Sequence, residues 1–132
     1  MILVVDDEPA DLEMARGVLI QTGYEVLTAG GYEDAIALCR QYDGLIRLLI
    51  TDVAMAPIDG CELAQMAITL EADLPVLFIS GYVGEQALQY KRQPETKSAF
   101  LRKPFTSEEL LAKVRETIRP GRSTAASGQI QE

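Results

Sequence analysis

The chain contains no histidine and no tryptophan, and only two of its 132 residues are cysteine. Without histidine, Ser-His-Asp and Cys-His machinery is excluded, and so is a zinc site that uses imidazole. Nor can the chain be a histidine phosphodonor. Two thiols cannot make an all-thiolate tetrahedral zinc site. Cys39 and Cys61 stand far apart and form no CxxC pattern, so a reduced cytoplasmic protein with free buried thiols is the expectation. Long apolar runs are missing as well. A membrane helix needs about 20 such residues, so no membrane contact by this segment is expected. Met1 passes directly into an apolar stretch with no basic lead, and no secretory signal is expected. Any chemistry must come from carboxylates, lysine, serine, threonine or a borrowed metal.

What is present is ordinary for a soluble domain: 48% apolar and 24% charged residues. The length suits one domain, since these usually hold about 100–150 residues. A chain of this size buries roughly two thirds of its unfolded surface, so it needs no disulfide or metal staple. Charge is spread unevenly. Residues 1–90 carry 15 acids and 3 bases, residues 91–122 carry 4 acids and 9 bases, and the net charge is −8. Repulsion by phosphates works against direct nucleic-acid binding by so acidic a chain. The basic C-terminal third either docks an acidic protein surface or simply solvates helix faces.

Ile2-Leu-Val-Val5 is a short apolar run that ends abruptly in Asp6-Asp7-Glu8-Pro9. Pro9 suits the first position of a helix, where its missing N–H costs nothing, and acids there favour the positive helix end. Leu12, Ala15, Leu19 and Ile20 recur at helical spacing up to Gly23. Residues 25–28 read as a strand, Gly30-Gly31 as a turn, and 32–42 as a helix with Ala35, Ile36, Leu38 and Cys39 inward. A strand over 47–51 ends in Asp52, a loop over 57–60 follows, and 61–70 is helical. A strand over 75–79 ends in Ser80-Gly81. Residues 85–91 read as a shorter helix, followed by a polar loop with Pro94. A last strand over 98–101 ends in Lys103-Pro104. Thr106 caps the last helix with Glu109 three residues on, a capping box, and Leu110, Leu111, Val114 and Ile118 line its inner face. The strands are continuously apolar rather than alternating, so both sheet faces are covered; the class is α/β, a parallel sheet sandwiched by helices. Residues 120–132, rich in Ser, Ala, Gly and Gln, read as a disordered tail or linker stub.

The reactive residues stand where strands end: Asp6-Asp7, Asp52, Ser80 and Lys103. In an open parallel α/β sheet, ligands bind outside the carboxyl ends of the strands, where the strand order reverses. Three carboxylates brought together repel one another unless a cation joins them. Oxygen ligands of this kind suit Mg²⁺, which takes one or two carboxylates plus a phosphate. Lys103 adds a point charge suited to a phosphoryl oxygen, and Ser80 adds a hydroxyl. Each residue alone also has a plain structural reading. Asp6-Asp7-Glu8 is then an acidic helix start, Asp52 a turn residue and Lys103-Pro104 a loop; the coincidence of all of them at strand ends is what points to a site.

Together these residues resemble the receiver domain of two-component response regulators. The marks are Leu3-Val-Val-Asp-Asp-Glu-Pro9, Leu49-Ile-Thr-Asp52, Asp59-Gly60, Phe78-Ile-Ser-Gly81 and Lys103-Pro104-Phe105, and the likeness covers about residues 1–119. The resemblance implies a doubly wound, flavodoxin-like sheet of five strands in the order 2-1-3-4-5. The first and third strands are then neighbours, and Asp6, Asp7 and Asp52 share one pocket. It implies that Asp52 is the phosphoacceptor, attacking the phosphorus of a phosphohistidine on a histidine kinase or histidine phosphotransfer domain to form an acyl phosphate. Asp7 would bind Mg²⁺ (or Mn²⁺) directly and Asp6 mainly through water, with the backbone carbonyl of Ala54 as a further ligand. Lys103 would pair with the phosphoryl group, Ser80 would hydrogen-bond it, and Phe100 would be the switch aromatic. Lys103–Pro104 is usually cis in the family, an option only proline makes cheap. Phosphorylation adds about −1.5 to −2 charge and would give Ser80 and Lys103 a partner they lack beforehand. The face built from the fourth helix, fifth strand and fifth helix would then change shape as a two-state population shift and meet a downstream protein. Such a chain is no conventional enzyme; it catalyses only its own phosphorylation and slow dephosphorylation.

The sequence departs from the family pattern at Met55-Ala-Pro-Ile-Asp-Gly60, where the proline falls one place late while the spacing from Asp52 to Gly60 is kept. A changed loop path with the site retained is the expectation. Ala54 cannot orient a hydrolytic water and Tyr82 would shield the phosphoryl group, so a long-lived aspartyl phosphate is expected. An aspartate-nucleophile phosphohydrolase is the remote alternative; it needs a second Asp two residues after the nucleophile, where this chain has Ala54. The wording Ile79-Ser-Gly-Tyr82 and Leu101-Arg-Lys-Pro-Phe105 looks like receivers of hybrid sensor histidine kinases. The expected setting is therefore the cytoplasmic part of such a kinase, with a stand-alone single-domain response regulator as the alternative.

Overall fold

The four residues Ile2–Val5 are all buried, none more than 2% exposed, as a strand covered on both faces must be. In the computed structural model, which describes residues 1–81 and 98–119, this run is β1 (Ile2–Val5). The chain continues through α1 (Pro9–Gln21), β2 (Val26–Ala29), α2 (Tyr32–Gln41), β3 (Leu48–Asp52), α3 (Gly60–Leu70), β4 (Val76–Ser80), β5 (Ser98–Arg102) and α4 (Ser107–Thr117). The helix expected over 85–91, the Pro94 loop, Tyr82 and the 120–132 segment lie outside the described residues. The five strands pair in parallel in the order β2-β1-β3-β4-β5, the doubly wound α/β sheet of the expectation. No helix among the described residues is long and apolar enough to cross a membrane.

Side chains alternate across a strand, and here the alternation sorts the core into two halves. Leu3, Val5, Leu49, Val76 and Phe78 face α2 and α3. Ile2, Val4, Leu48, Ile50, Leu77, Ile79 and Leu101 face α1 and α4. The register couples Val5 with Thr51, Asp52 with Ile79, and Ser80 with Arg102. Asp52 follows the parity of Ile50, Asp6 that of Val4, and Lys103 that of Leu101, so all three belong to the α1 and α4 side. Phe100 shares the parity of Phe78 and belongs to the other.

The helices show why their inward faces formed. Ala15 and Leu19 are the buried residues of α1, one turn apart, with Leu12 and Val18 packed beside them. Ile20, expected to be inward, is 44% exposed: it stands one residue beyond Leu19 and so is rotated about 100° off that stripe. In α4, Leu110, Val114 and Thr117 are buried while Leu111 and Ile118 pack only partly. The Thr117 hydroxyl donates to the Lys113 carbonyl at 2.7 Å. The expected Thr106 cap is present, with Thr106 Oγ1 accepting from the Glu109 N–H at 3.0 Å and Glu109 Oε1 from the Thr106 N–H at 2.8 Å. A second capping box, Asp59 with Glu62, starts α3 at Gly60, a residue read from sequence as loop. Cys39 and Cys61 are free and buried; burial and then the charges of Asp59 and Glu62 push the Cys61 thiol up to about 11, which removes it as a nucleophile near neutral pH.

The edge where the strands begin is closed by polar contacts. The Met1 ammonium donates to the Leu45 carbonyl at 3.1 Å, and the Arg47 N–H donates to the Met1 carbonyl at 2.8 Å. Arg119 Nη2 donates to the Ile46 carbonyl at 2.8 Å and to Glu71 Oε2 at 2.9 Å. The other Glu71 oxygen, Oε1, accepts from the Gly44 N–H at 3.1 Å.

Candidate functional site

At the opposite edge, β1 and β3 lie side by side and end together, which delivers Asp6 and Asp52 to one place. One carboxylate oxygen from each of Asp6, Asp7 and Asp52 falls within a group whose members all lie within 4.8 Å of one another. Asp6 is buried, at 6% exposure, and Asp7 is exposed. The Asp52 side chain is 11% exposed; as the last residue of β3 it is held in the ladder, its successor Val53 donating its N–H to the Ile79 carbonyl at 2.9 Å. Asp6 Oδ1 accepts from the Glu8 N–H at 2.9 Å, which turns the chain into α1.

Burial raises the pKa of both Asp52 and Asp6 above the ordinary carboxylate value. For Asp52 the Lys103 charge opposes this, and the charges of Asp6 and Asp7 reinforce it. For Asp6 the Glu8 N–H and Lys103 oppose it, and Asp11 and Asp7 reinforce it. Crowded acids of this kind need a compensating cation, and a set of hard oxygen donors suits a divalent one such as Mg²⁺. The residues present fit that group.

Lys103 enters from the turn after β5. Its N–H donates to the Ser80 carbonyl at 2.9 Å, which fixes the two strand ends to each other, and the Lys103–Pro104 peptide is cis. The ammonium lies 3.7 Å from Asp52 Oδ1 and 3.8 Å from Asp6 Oδ2, but only 3.0 Å from Asp11 Oδ2. Burial lowers its pKa, and the hydrogen bond it donates to Asp11 with the charges of Asp52 and Asp6 more than reverses this, so the net shift is upward. The expectation that Lys103 lacks a partner is thus corrected: Asp11 is that partner. Nor is Ser80 without one.

Asp11 escaped the sequence reading, although a signal exists. It stands four residues before Ala15 and eight before Leu19, the buried positions of α1, so it extends the inward stripe toward the acids.

The other expected site residues fall elsewhere. Ser80 ends β4, buried at 7% exposure, one residue beyond Ile79, the register partner of Asp52. Phe100 lies on the Phe78 side of the sheet, its ring stacked on Phe78 at 5.1 Å between centroids. Ala54 is exposed in the loop after β3, where the Val53 carbonyl accepts from the Met55 N–H at 3.1 Å and the Gly60 N–H at 2.9 Å. The Ala56–Pro57 peptide in this loop is cis.

Comparison with known proteins agrees with this geometry. The family model described as the response regulator receiver domain matches residues 2–115. Over 118 residues the chain is 32% identical to the C4-dicarboxylate transport transcriptional regulatory protein DctD of Pseudomonas aeruginosa, covering 89% of this chain and 25% of that protein. Among solved structures, the receiver domain from the hybrid histidine kinase CckA is 37% identical with a TM-score of 0.73, covering 87% of this chain and 95% of that one. The receiver domain of NtrX from Brucella abortus is 29% identical with a TM-score of 0.79, covering 88% and 96%. The chain spans a quarter or less of the length of the first curated relatives it matches.

Proposed function

Because the chain belongs to the response regulator receiver domain family, we propose that it is the phosphoacceptor of a two-component phosphorelay, with Asp52 as the residue modified. The observation that carries this reading is the convergence of the Asp6, Asp7 and Asp52 oxygens within 4.8 Å, with the Lys103 ammonium 3.7 Å from Asp52. An Asp52 carboxylate oxygen attacks the phosphorus of a phosphohistidine on a histidine kinase or histidine phosphotransfer domain. The phosphorus–nitrogen bond breaks, the imidazole nitrogen leaves with the electron pair, and an acyl phosphate remains on Asp52. Asp7, Asp52 and the Ala54 carbonyl would hold Mg²⁺ or Mn²⁺, with Asp6 acting mainly through water, and the ion would supply charge that offsets the acids and the arriving phosphoryl oxygens. Lys103 pairs with the new dianion and Ser80 hydrogen-bonds it.

Residues 1–119 make up the module. Its output is a change in the face formed by β5 and α4. Phosphoryl contacts to Ser80 and Lys103, at the ends of β4 and β5, bias this face, and Phe100 on β5 reads the change. A downstream protein is the reader. The 37% identity to the receiver of a hybrid histidine kinase supports a place in a relay of that architecture, in the cytoplasm, where the free thiols of Cys39 and Cys61 stay reduced. The test is incubation with a small phosphodonor and Mg²⁺ followed by intact-mass measurement. A gain of one phosphoryl group is expected, lost in Asp52→Asn and lost with a chelator. A gain that persists in Asp52→Asn would contradict the assignment.

A further inference from the structure

The Lys103 ammonium has three acids close by and is hydrogen-bonded to the one the proposed chemistry does not use. It is 3.0 Å from Asp11 Oδ2, whereas Asp52 Oδ1 and Asp6 Oδ2 are at 3.7 and 3.8 Å, beyond direct hydrogen-bond length. Asp11 comes from α1 and Lys103 from the turn after β5, 92 residues later, so the pair also bridges two separate elements. Both side chains line a cavity of about 390 Å³ that Asp6, Asp52, Met14 and Phe105 also border. The lysine therefore has space to swing between Asp11 on one side and Asp52 on the other.

We propose that Asp11 is a positioning residue that holds Lys103 by a hydrogen bond, just beyond direct hydrogen-bond length from Asp52 and Asp6, until a phosphoryl group arrives. The inference rests on the reading of Asp6, Asp7 and Asp52 as the cation site. In the absence of Asp11, the nearest anions to the ammonium among the described residues are Asp52 and Asp6, the same oxygens that a divalent cation must reach, and ammonium and metal then compete. Hydrogen-bonded to Asp11, the lysine stays beyond direct hydrogen-bond length from those oxygens. The parking contact is weak enough to be exchanged: the two side chains are 30% and 43% exposed, and partly exposed pairs of this kind contribute little. A phosphoryl group on Asp52, with about −1.5 to −2 charge, draws the lysine across.

The test is Mg²⁺ titration of the full chain by calorimetry, in wild type, Asp11→Asn, Asp11→Glu, Lys103→Met and the Asp11→Asn/Lys103→Met pair. Asp11→Asn is expected to weaken Mg²⁺ binding about two- to fivefold, equivalent to roughly 0.4–1 kcal/mol. Asp11→Glu keeps the charge and the reach and restores wild-type affinity. In the Lys103→Met background the loss disappears, as it must if Asp11 acts through the lysine. An equal loss with and without Lys103 would show Asp11 acting through its field alone and overturn the proposal, as would no loss at all. A wild-type chain that binds no Mg²⁺ would overturn the reading of the site and the parking role with it; wild-type binding that Asp11→Asn leaves unchanged would overturn the parking role alone.

Discussion

The Asp52 carboxylate sits in a place that opposes its charge. Its folded pKa lies above its ordinary 3.8, chiefly through burial. The uncharged form is thus the one the fold favours: the contribution to stability is complete below the ordinary value and is lost as pH rises through the raised one. In the absence of a divalent cation, Asp52→Asn is therefore expected to be more stable than wild type at about pH 7, by on the order of 1 kcal/mol. The gap should narrow as pH falls toward the ordinary carboxylate value, and added Mg²⁺ should close it by stabilising the wild type alone. Thermal melts across this range with chelator or Mg²⁺ check it, and a wild type that melts higher than Asp52→Asn in chelator would contradict it. At this scale Asp6, Asp7, Asp52 and Lys103 were legible because each is a charged residue within two positions of the end of an apolar run. Asp11 was not, because an acid in the first turn of a helix already has an ordinary reason to be there, the positive helix end.

Among the elements, the start of α3 governs the shape of the loop behind Asp52. Gly60 needs no unusual backbone angle; it needs the absence of a side chain. A Cβ there would collide with the Asp52 carbonyl oxygen and lie 3.0 Å from Val53 Cα. Alanine in place of a helical glycine normally stabilises. Here Gly60→Ala is expected to destabilise by about 1–3 kcal/mol, the usual cost of overpacking, and to slow phosphorylation by displacing Asp52. Urea unfolding midpoints and phosphorylation rates measure both, and a raised midpoint would refute the first. Helix and strand identities were readable from apolar spacing, but their ends less so. Pro57 and Gly60 both look like loop residues, whereas Gly60 follows the Asp59 cap and is already helical. β3 and β4 each run one residue further than their apolar stretch, to Asp52 and Ser80, because the backbone ladder is indifferent to side-chain polarity.

Across the whole molecule, the winding order is what local pattern could not supply. Five strand–helix units read alike under any strand order, and only the likeness to receivers pointed to β1 beside β3. The same holds for Glu71 and Arg119, which lie 48 residues apart and meet at 2.9 Å with side chains about one-fifth exposed. Glu71→Ala removes the acceptor of both the Arg119 guanidinium and the Gly44 N–H, and is expected to cost about 1–3 kcal/mol. Because this contact lies at the edge away from Asp52, phosphoryl uptake by the folded protein should be unchanged; denaturation midpoints set against phosphorylation yields test the separation.

Arg47 touches both extremities of the domain, its N–H bonded to the Met1 carbonyl and its own carbonyl accepting from the Arg119 N–H at 3.3 Å. Entry and exit thus share a single port. A polypeptide joined at either of these points would meet the fold from behind and leave the edge with Asp6, Asp7 and Asp52 uncovered.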